Sequence, residues 1–441
     1  MATLDTAIAN TALPIIARDL NASPAASVWV VNAYQLAMIA TLLPLAAAGD
    51  IVGHRRVYAW GIALFTVASL GCALATSLPL LAFARVVQGI GASAAMSVNT
   101  ALIRFSYPPE RLGRGLGLNA MVVGVAFAVG PTVASMILLV APWPYLFGVN
   151  VPFGLIAMLL ARRTLPDSPP SRHRFERVAA SLVTLTFALL VLGLEEAAHE
   201  ESALIVGPLV AVSAGFAAAL LRVQAGHPAP MLPVDLFRRP QFALSSATAI
   251  TAFAAQGLAF VALPFLFQHN LGKTVVQTGF LMTPWPVITA IMAPIAGSLS
   301  DRYPAGILGG IGMVILSAGL ASMLFLPASP DALSIGWRMA VCGAGFGFYQ
   351  SPNLRAIMSA APPERSGGAS GIVAVSRLLG QTTGAALVAF CFGLAGASGP
   401  MVAIGLGAGF SAVSAVVSAS RLIAPTAGPR PAALQTRPAR R

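Results

Sequence analysis

The chain has 441 residues, of which 57% are apolar and 9% charged, and its 26 Lys and Arg against 14 Asp and Glu leave a net charge of +12. Soluble domains carry about a quarter charged residues, so this composition excludes a soluble globular protein. The basic excess does not point to nucleic acid, because the arginines sit in short segments between apolar runs and not in one patch with aromatics.

Apolar runs of about 18 to 25 residues recur from end to end, each long enough to cross a hydrocarbon core about 30 Å thick as a helix. They are too long and too unalternating for barrel strands, and only helices or closed barrels satisfy the backbone in lipid. The expected fold class is therefore an all-α membrane protein. Caps, prolines and charges mark fourteen spans, the first six at 1–17, 27–48, 57–76, 78–103, 115–139 and 143–162. The others fall at 178–194, 203–222, 241–268, 275–299, 305–326, 333–354, 368–394 and 400–421. Cys72, Cys342 and Cys391 lie singly in apolar runs, where they are expected to serve packing. Metal-ligand clusters, phosphate loops and nucleophiles with a nearby His are all absent from the sequence, so neither catalysis nor a cofactor is expected.

An even number of spans puts both termini on one side. With that side in the cytoplasm, 21 of the 26 basic residues fall on it, as the positive-inside rule requires. Only Arg18 and Lys273 lie opposite, and Arg85, Arg338 and Arg377 fall inside spans. The expected location is the cytoplasmic membrane, with Glu195, Glu196, Glu200 and Glu201 outside. No cleavable signal peptide precedes the first span, as is usual when that span itself directs insertion.

The chain also repeats itself. Pro108-Pro109-Glu110-Arg111 and Gly113 match Pro362-Pro363-Glu364-Arg365 and Gly367 at an offset of 254, which also pairs Gly89 with Gly343, Asn99 with Asn353, Gly117 with Gly371 and Gly130 with Gly384. Arg85 meets Arg338 at 253, and Ala12-Leu13-Pro14 meets Ala262-Leu263-Pro264 at 250. The expected organisation is a six-helix half over 1–165, an inserted helix pair over 166–240, a second six-helix half over 241–422 and a basic tail over 423–441. Two such halves describe a transporter that rocks around a midplane site, a machine that a receptor or membrane enzyme does not need. Measured against the ninth span, the first looks about nine residues short, which would set Asp5 at the cytoplasmic rim instead of the bilayer centre.

Asp5 is the one acidic residue inside a span, and an ionisable group there costs roughly 2.5 to 3.5 kcal/mol on insertion scales, so it is a functional candidate by default. Arg85 is its natural partner, with Gln88 one helical turn away. Asn32, Tyr34, Met96, Asn99, Asn119, Asn353 and Gln381 are polar or polarizable groups able to line a cavity. Gly124, Gly130 and Pro131 weaken the fifth span and should bend it. Asp50, Gly53, Arg55 and Arg56 after the second span, echoed by Asp301 and Arg302 after the tenth, could pair when a cytoplasmic gate closes.

These residues resemble the major facilitator superfamily, and within it the fourteen-span drug:proton antiporters. LDTAIANTALP from Leu4 looks like that family's first-span motif, GDIVGHRR from Gly49 its loop signature, RVVQGIGA from Arg85 its fourth-span motif and GVAFAVGP from Gly124 its antiporter motif. The resemblance implies proton coupling at Asp5 and Arg85 and an antiporter bend at Gly130 and Pro131. Ala46 and Ile51 depart from the loop motif, and Ala134 and Ser135 stand where the antiporter motif usually has paired glycines. The run through SVNTALIRFSYPPERLGRGLGLNA looks like the subgroup exporting quaternary ammonium compounds and methyl viologen. The expected activity is export of lipophilic, mostly cationic compounds in exchange for protons, by a monomer whose partners are the substrate, protons and the bilayer. A uniporter or symporter for a small metabolite is the alternative.

Overall fold

The computed structural model describes residues 1–108, 112–166, 176–198, 203–224, 234–327, 329–361 and 366–423. Most of both PPER segments, the Glu200-Glu201 pair and nearly all of the basic tail lie outside them. Among the described residues there is no strand, and the helices follow the apolar runs. The first group is α1 (Ala2–Asp19), α2 (Pro24–Ser27), α3 (Trp29–Val52), α4 (His54–Ala73), α5 (Leu78–Ser106), α6 (Leu112–Val140), α7 (Pro144–Gly148) and α8 (Asn150–Thr164). Then come α9 (Arg177–Ala198) and α10 (Ala203–Gln224), which pack on each other. The last group is α11 (Pro240–Phe265), α12 (Val275–Met282), α13 (Pro284–Leu299), α14 (Ala305–Met323), α15 (Ala332–Ala360), α16 (Ser366–Ala395) and α17 (Gly399–Ser420).

Ten stretches of the described residues are long and apolar enough to cross a membrane, and the one at 369–420 contains both α16 and α17. Helix ends show why the chain breaks where it does. Thr274 and Gln277 form a reciprocal capping box that opens α12, and the Asp331 carboxylate accepts from the Ser334 N–H at 3.0 Å to open α15. Between α3 and α4 the chain reverses on Gly53, whose φ of +105° is open to glycine and strained for any residue with a Cβ. The sharp turn of the GDIVGHRR loop therefore depends on that one residue.

The duplication read from the sequence reappears as duplicated close approaches of backbone. A Cβ on Gly89 would lie 2.4 Å from the Tyr34 carbonyl oxygen on α3, and one on Gly343 would lie 2.2 Å from the Trp285 carbonyl oxygen on α13. Gly91 would meet the Phe65 nitrogen at 2.5 Å, and Gly345 the Leu316 nitrogen at 2.4 Å. A Cβ on Gly130 of α6 would lie 2.4 Å from the Ala7 Cβ of α1, and one on Gly384 of α16 would lie 2.3 Å from the Ala254 oxygen of α11. Small residues let membrane helices approach this closely, and in lipid that packing is what holds helices together.

Gly345→Val forces a side chain into the backbone of α14 and is expected to destabilise the protein by about 1–3 kcal/mol. Gly409→Ala, on an exposed face of α17 with no atom within 4 Å of the added Cβ, should be neutral or stabilising by up to about 1 kcal/mol. Thermal unfolding of the two variants in detergent checks the contrast.

Candidate functional site

Asp5, Arg85 and Gln88 meet in one buried network. The Arg85 guanidinium donates through Nη1 to Asp5 Oδ2, and the two side chains are 0% and 1% exposed. Gln88 Nε2 donates to Asp5 Oδ1 at 3.0 Å and to Ser69 Oγ at 2.8 Å, while Gln88 Oε1 accepts from Arg85 Nη1 at 2.6 Å. Asn150, at the start of α8, adds a third donor to the carboxylate at 2.7 Å. Arg85 Nε donates to the Val30 carbonyl at 2.8 Å, and the guanidinium lies 4.1 Å from the centre of the Tyr34 ring. Helical spacing explains the cluster: Arg85 and Gln88 lie three residues apart on one face of α5, so both reach the same point on α1. The Asp5 carboxylate is thus not at a solvent-exposed rim.

A cavity of about 570 Å³ lies between the two groups of helices. Tyr34 is its wall toward the Asp5–Arg85 network, since the ring that stacks on Arg85 also lines the cavity. Aromatic sides come from Phe253, Trp285 and Phe346, and polar groups from Thr6, Gln35, Gln256, Gln350 and Gln381. Gln381 Nε2 donates to Gln256 Oε1 at 3.1 Å, and Thr382 Oγ1 donates to Gln35 Oε1 at 3.1 Å across the seam between α16 and α3. The volume falls within the roughly 300–1,000 Å³ of small-molecule sites. Of the cavity residues named from sequence, Tyr34, Met96 and Gln381 line it, as does Gly124.

Four others are placed elsewhere. Asn99 Nδ2 donates to Asn119 Oδ1 at 2.9 Å, a bond between α5 and α6. Asn353 donates to the Ser245 carbonyl at 3.1 Å and accepts from Arg421 at 2.8 Å, tying α15, α11 and the end of α17. Asn32 is fully buried and does not line the cavity. Among the described residues no acidic side chain lines the cavity, and Asp5 is not a cavity residue.

The gate charges find partners one helical turn away or on an adjacent helix. Asp50 Oδ1 accepts from His54 Nε2 at 3.1 Å, and Arg55 donates to the Arg162 carbonyl at 2.5 Å on α8. Asp301 pairs with Arg355 of α15, not with its neighbour Arg302. The reason is geometric: i,i+4 neighbours and side chains on adjacent helices face one another, whereas adjacent residues such as Asp301 and Arg302 diverge.

At the other end of the bundle hydrogen bonds join the two groups of helices. Thr132 and Thr283 share a hydrogen bond of 2.7 Å, and Ser135 Oγ donates to the Val275 carbonyl at 3.0 Å. Ser135 Oγ also donates to the Pro131 carbonyl at 2.9 Å, and Gly279 of α12 packs against both residues. Gly130 and Pro131 therefore sit where α6 meets α1 and α12. The cavity extends the other way, reaching Ala2, Met96, Pro294, Ser351 and Leu354 near the end that carries Met1.

Sequence reasoning missed Asn150, Ser69, Gln35, Gln256, Trp285 and the cavity role of Arg377. Arg377 alone carried a signal, being a cation inside a span.

The Major Facilitator Superfamily profile matches residues 1–385, and the chain belongs to that family. It is 49% identical over 427 residues, 96% of this chain and 93% of the other, to YebQ, an uncharacterized transporter of Escherichia coli. A riboflavin transporter of Clostridioides difficile is 28% identical, with 89% of this chain and 85% of the other aligned. A multidrug resistance protein of Mycobacterium tuberculosis is 30% identical, with 87% of this chain and 72% of the other aligned. A crystal structure of a POT family transporter bound to a thioalcohol-conjugated peptide superposes with a TM-score of 0.71 at 14% identity, covering 96% of this chain and 93% of the other, a likeness of fold alone. The protein is thus a membrane transporter for small molecules.

Replacing one member of a buried charge pair leaves the other uncompensated. Arg85→Gln is expected to lower stability by about 3–5 kcal/mol, and the double variant Asp5→Asn, Arg85→Gln by much less. Unfolding of the purified single and double variants checks the sign of the difference.

Proposed function

We propose that this chain exports lipophilic organic compounds across the cytoplasmic membrane in exchange for protons. The reading takes fourteen crossings, both termini in the cytoplasm, two six-helix halves and α9–α10 as the inserted pair. The observation that carries it is the placement of Asp5 and Arg85 directly behind Tyr34, a wall of the cavity. Protonating Asp5 removes the charge that compensates Arg85, leaving that cation with the Val30 carbonyl, Gln88 and the Tyr34 face. A buried cation without its counter-charge is costly, so protonation favours a different arrangement of α1, α3 and α5. A guest against Tyr34 touches the same arrangement from the other side, which couples the two ligands without contact between them. The sealed outer end and the cavity reaching toward Met1 fit a state open to the cytoplasm, ready to load a compound for export. The relative named as a multidrug resistance protein supports export of foreign compounds, and the aromatic walls suit lipophilic guests.

Asp5→Asn keeps the size of the side chain and cannot cycle a proton. In proteoliposomes at matched protein levels, this variant is expected to lose transport driven by a pH gradient by at least about tenfold, since general acid–base groups contribute on that order or more. Exchange of labelled for unlabelled substrate at equal pH should persist. Gradient-driven transport at the wild-type rate would overturn the assignment of Asp5 as the proton carrier.

A further inference from the structure

Among the described residues that line the cavity, Arg377 on α16 is the one that is charged. It differs from the other arginines held within or at the ends of the bundle. Arg85 has Asp5, the Val30 carbonyl and the Tyr34 face, Arg338 donates to the Ser322 and Ser334 carbonyls, and Arg421 donates to Ser245 and Asn353. The Arg377 guanidinium has no hydrogen-bond acceptor and no ion-pair partner among the described residues. A cation at membrane depth ordinarily pairs with a carboxylate or a carbonyl, so one left open toward a cavity is a receptor for something that brings its own acceptor.

A second, independent observation points the same way. Trp285 also lines the cavity, and its buried Nε1–H has no acceptor among the described residues. Buried polar groups are nearly always hydrogen-bonded, so this orphan donor is also waiting for an acceptor. Gln35 Oε1 and Gln256 Oε1 are each taken by a donor of the protein. The space is bounded by the rings of Tyr34, Phe253, Trp285 and Phe346.

We propose that Arg377 is the substrate-anchoring residue and that the cavity takes planar aromatic compounds bearing an anionic group, a carboxylate or an equally acidic oxygen, in preference to lipophilic cations. A guanidinium presents a rigid fork matched to a carboxylate, and its planar faces stack on aromatic rings. The aromatic body of the guest lies among the ring walls, Trp285 among them, and its acidic group meets Arg377. The transport arm of this proposal rests on the export reading above, whereas the binding arm does not.

The test uses the purified full-length protein and three naphthalene probes of nearly equal size: 2-naphthoate, 2-naphthalenemethanol and 2-naphthyl-trimethylammonium. Affinities are measured in detergent and transport in proteoliposomes. For the wild type, naphthoate is expected to bind at least tenfold more tightly than the trimethylammonium probe. Arg377→Gln should weaken naphthoate at least tenfold and leave the neutral alcohol within about twofold, while Arg377→Lys should retain part of the naphthoate affinity. Equal or tighter binding of the cation by the wild type overturns the proposal, and so does an unchanged naphthoate affinity in a folded Arg377→Gln variant. The wild-type ranking alone decides the matter if the variant fails to fold. Should naphthoate bind in an Arg377-dependent way with no pH-driven transport, the export reading fails and the anion site stands. Should the cation be exported while naphthoate does not bind, the export reading stands and the anion site fails.

Discussion

Asp5 and Arg85 can share the interior of this bundle only as a pair. Each alone would face the desolvation of an ion in a low-dielectric medium, and their mutual attraction offsets it only with good geometry and with the remaining hydrogen bonds made. That requirement recruits its own neighbourhood. The carboxylate draws Asn150 from α8 and Gln88 from α5, Gln88 is oriented by Ser69 of α4, and the guanidinium takes the Val30 carbonyl and the Tyr34 face of α3. Five helices are therefore held in register by a single pair of charges. The close fit of Gly130 on Ala7 brings a sixth, α6, against the same stretch of α1, two residues along from Asp5.

The same logic explains how function reaches the cavity without exposing the proton site to it. Tyr34 offers one face of its ring to Arg85 and lines the space where a guest would lie, while its hydroxyl donates to the Ala2 carbonyl at 3.4 Å. A single ring then reports on the charge state behind it and on the contents in front of it. Such a wall transmits a change of packing and keeps the Asp5 proton out of the guest's reach.

What could be read from the sequence was whatever the membrane penalises. Charges inside apolar runs are expensive enough to stand out, so Asp5 and Arg85 declared themselves, and the duplicated glycines declared the close helix approaches that Gly89 and Gly343 or Gly91 and Gly345 make. Neutral polar residues do not stand out in this way. Asn150 and Asn353 look alike in sequence, yet one holds the Asp5 carboxylate and the other holds Arg421, because helix rotation decides which neighbour each one meets. The Asp301 partner was hidden for a related reason: Arg355 reaches it from the adjacent helix α15 and not from nearby in the chain. Trp285 gave no sign at all, since a tryptophan in a membrane span is unremarkable until its nitrogen is seen without an acceptor.

The helix α9 packs on α3 and on α16, with Ala179, Val183 and Phe187 among Ile39, Leu42, Leu43, Val375 and Leu378, and Thr184 donates to the Ala40 carbonyl at 2.9 Å. It thus lies along the seam where the two groups of helices meet on one flank. On the other flank α6 faces α12 and α13 directly, with Val122 and Ile291 turned outward and Val123, Gly124, Val125 and Ala290 lining the cavity. The two flanks are consequently unequal to a molecule dissolved among the acyl chains. On one side it meets a shutter two helices deep, and on the other a single layer of helices.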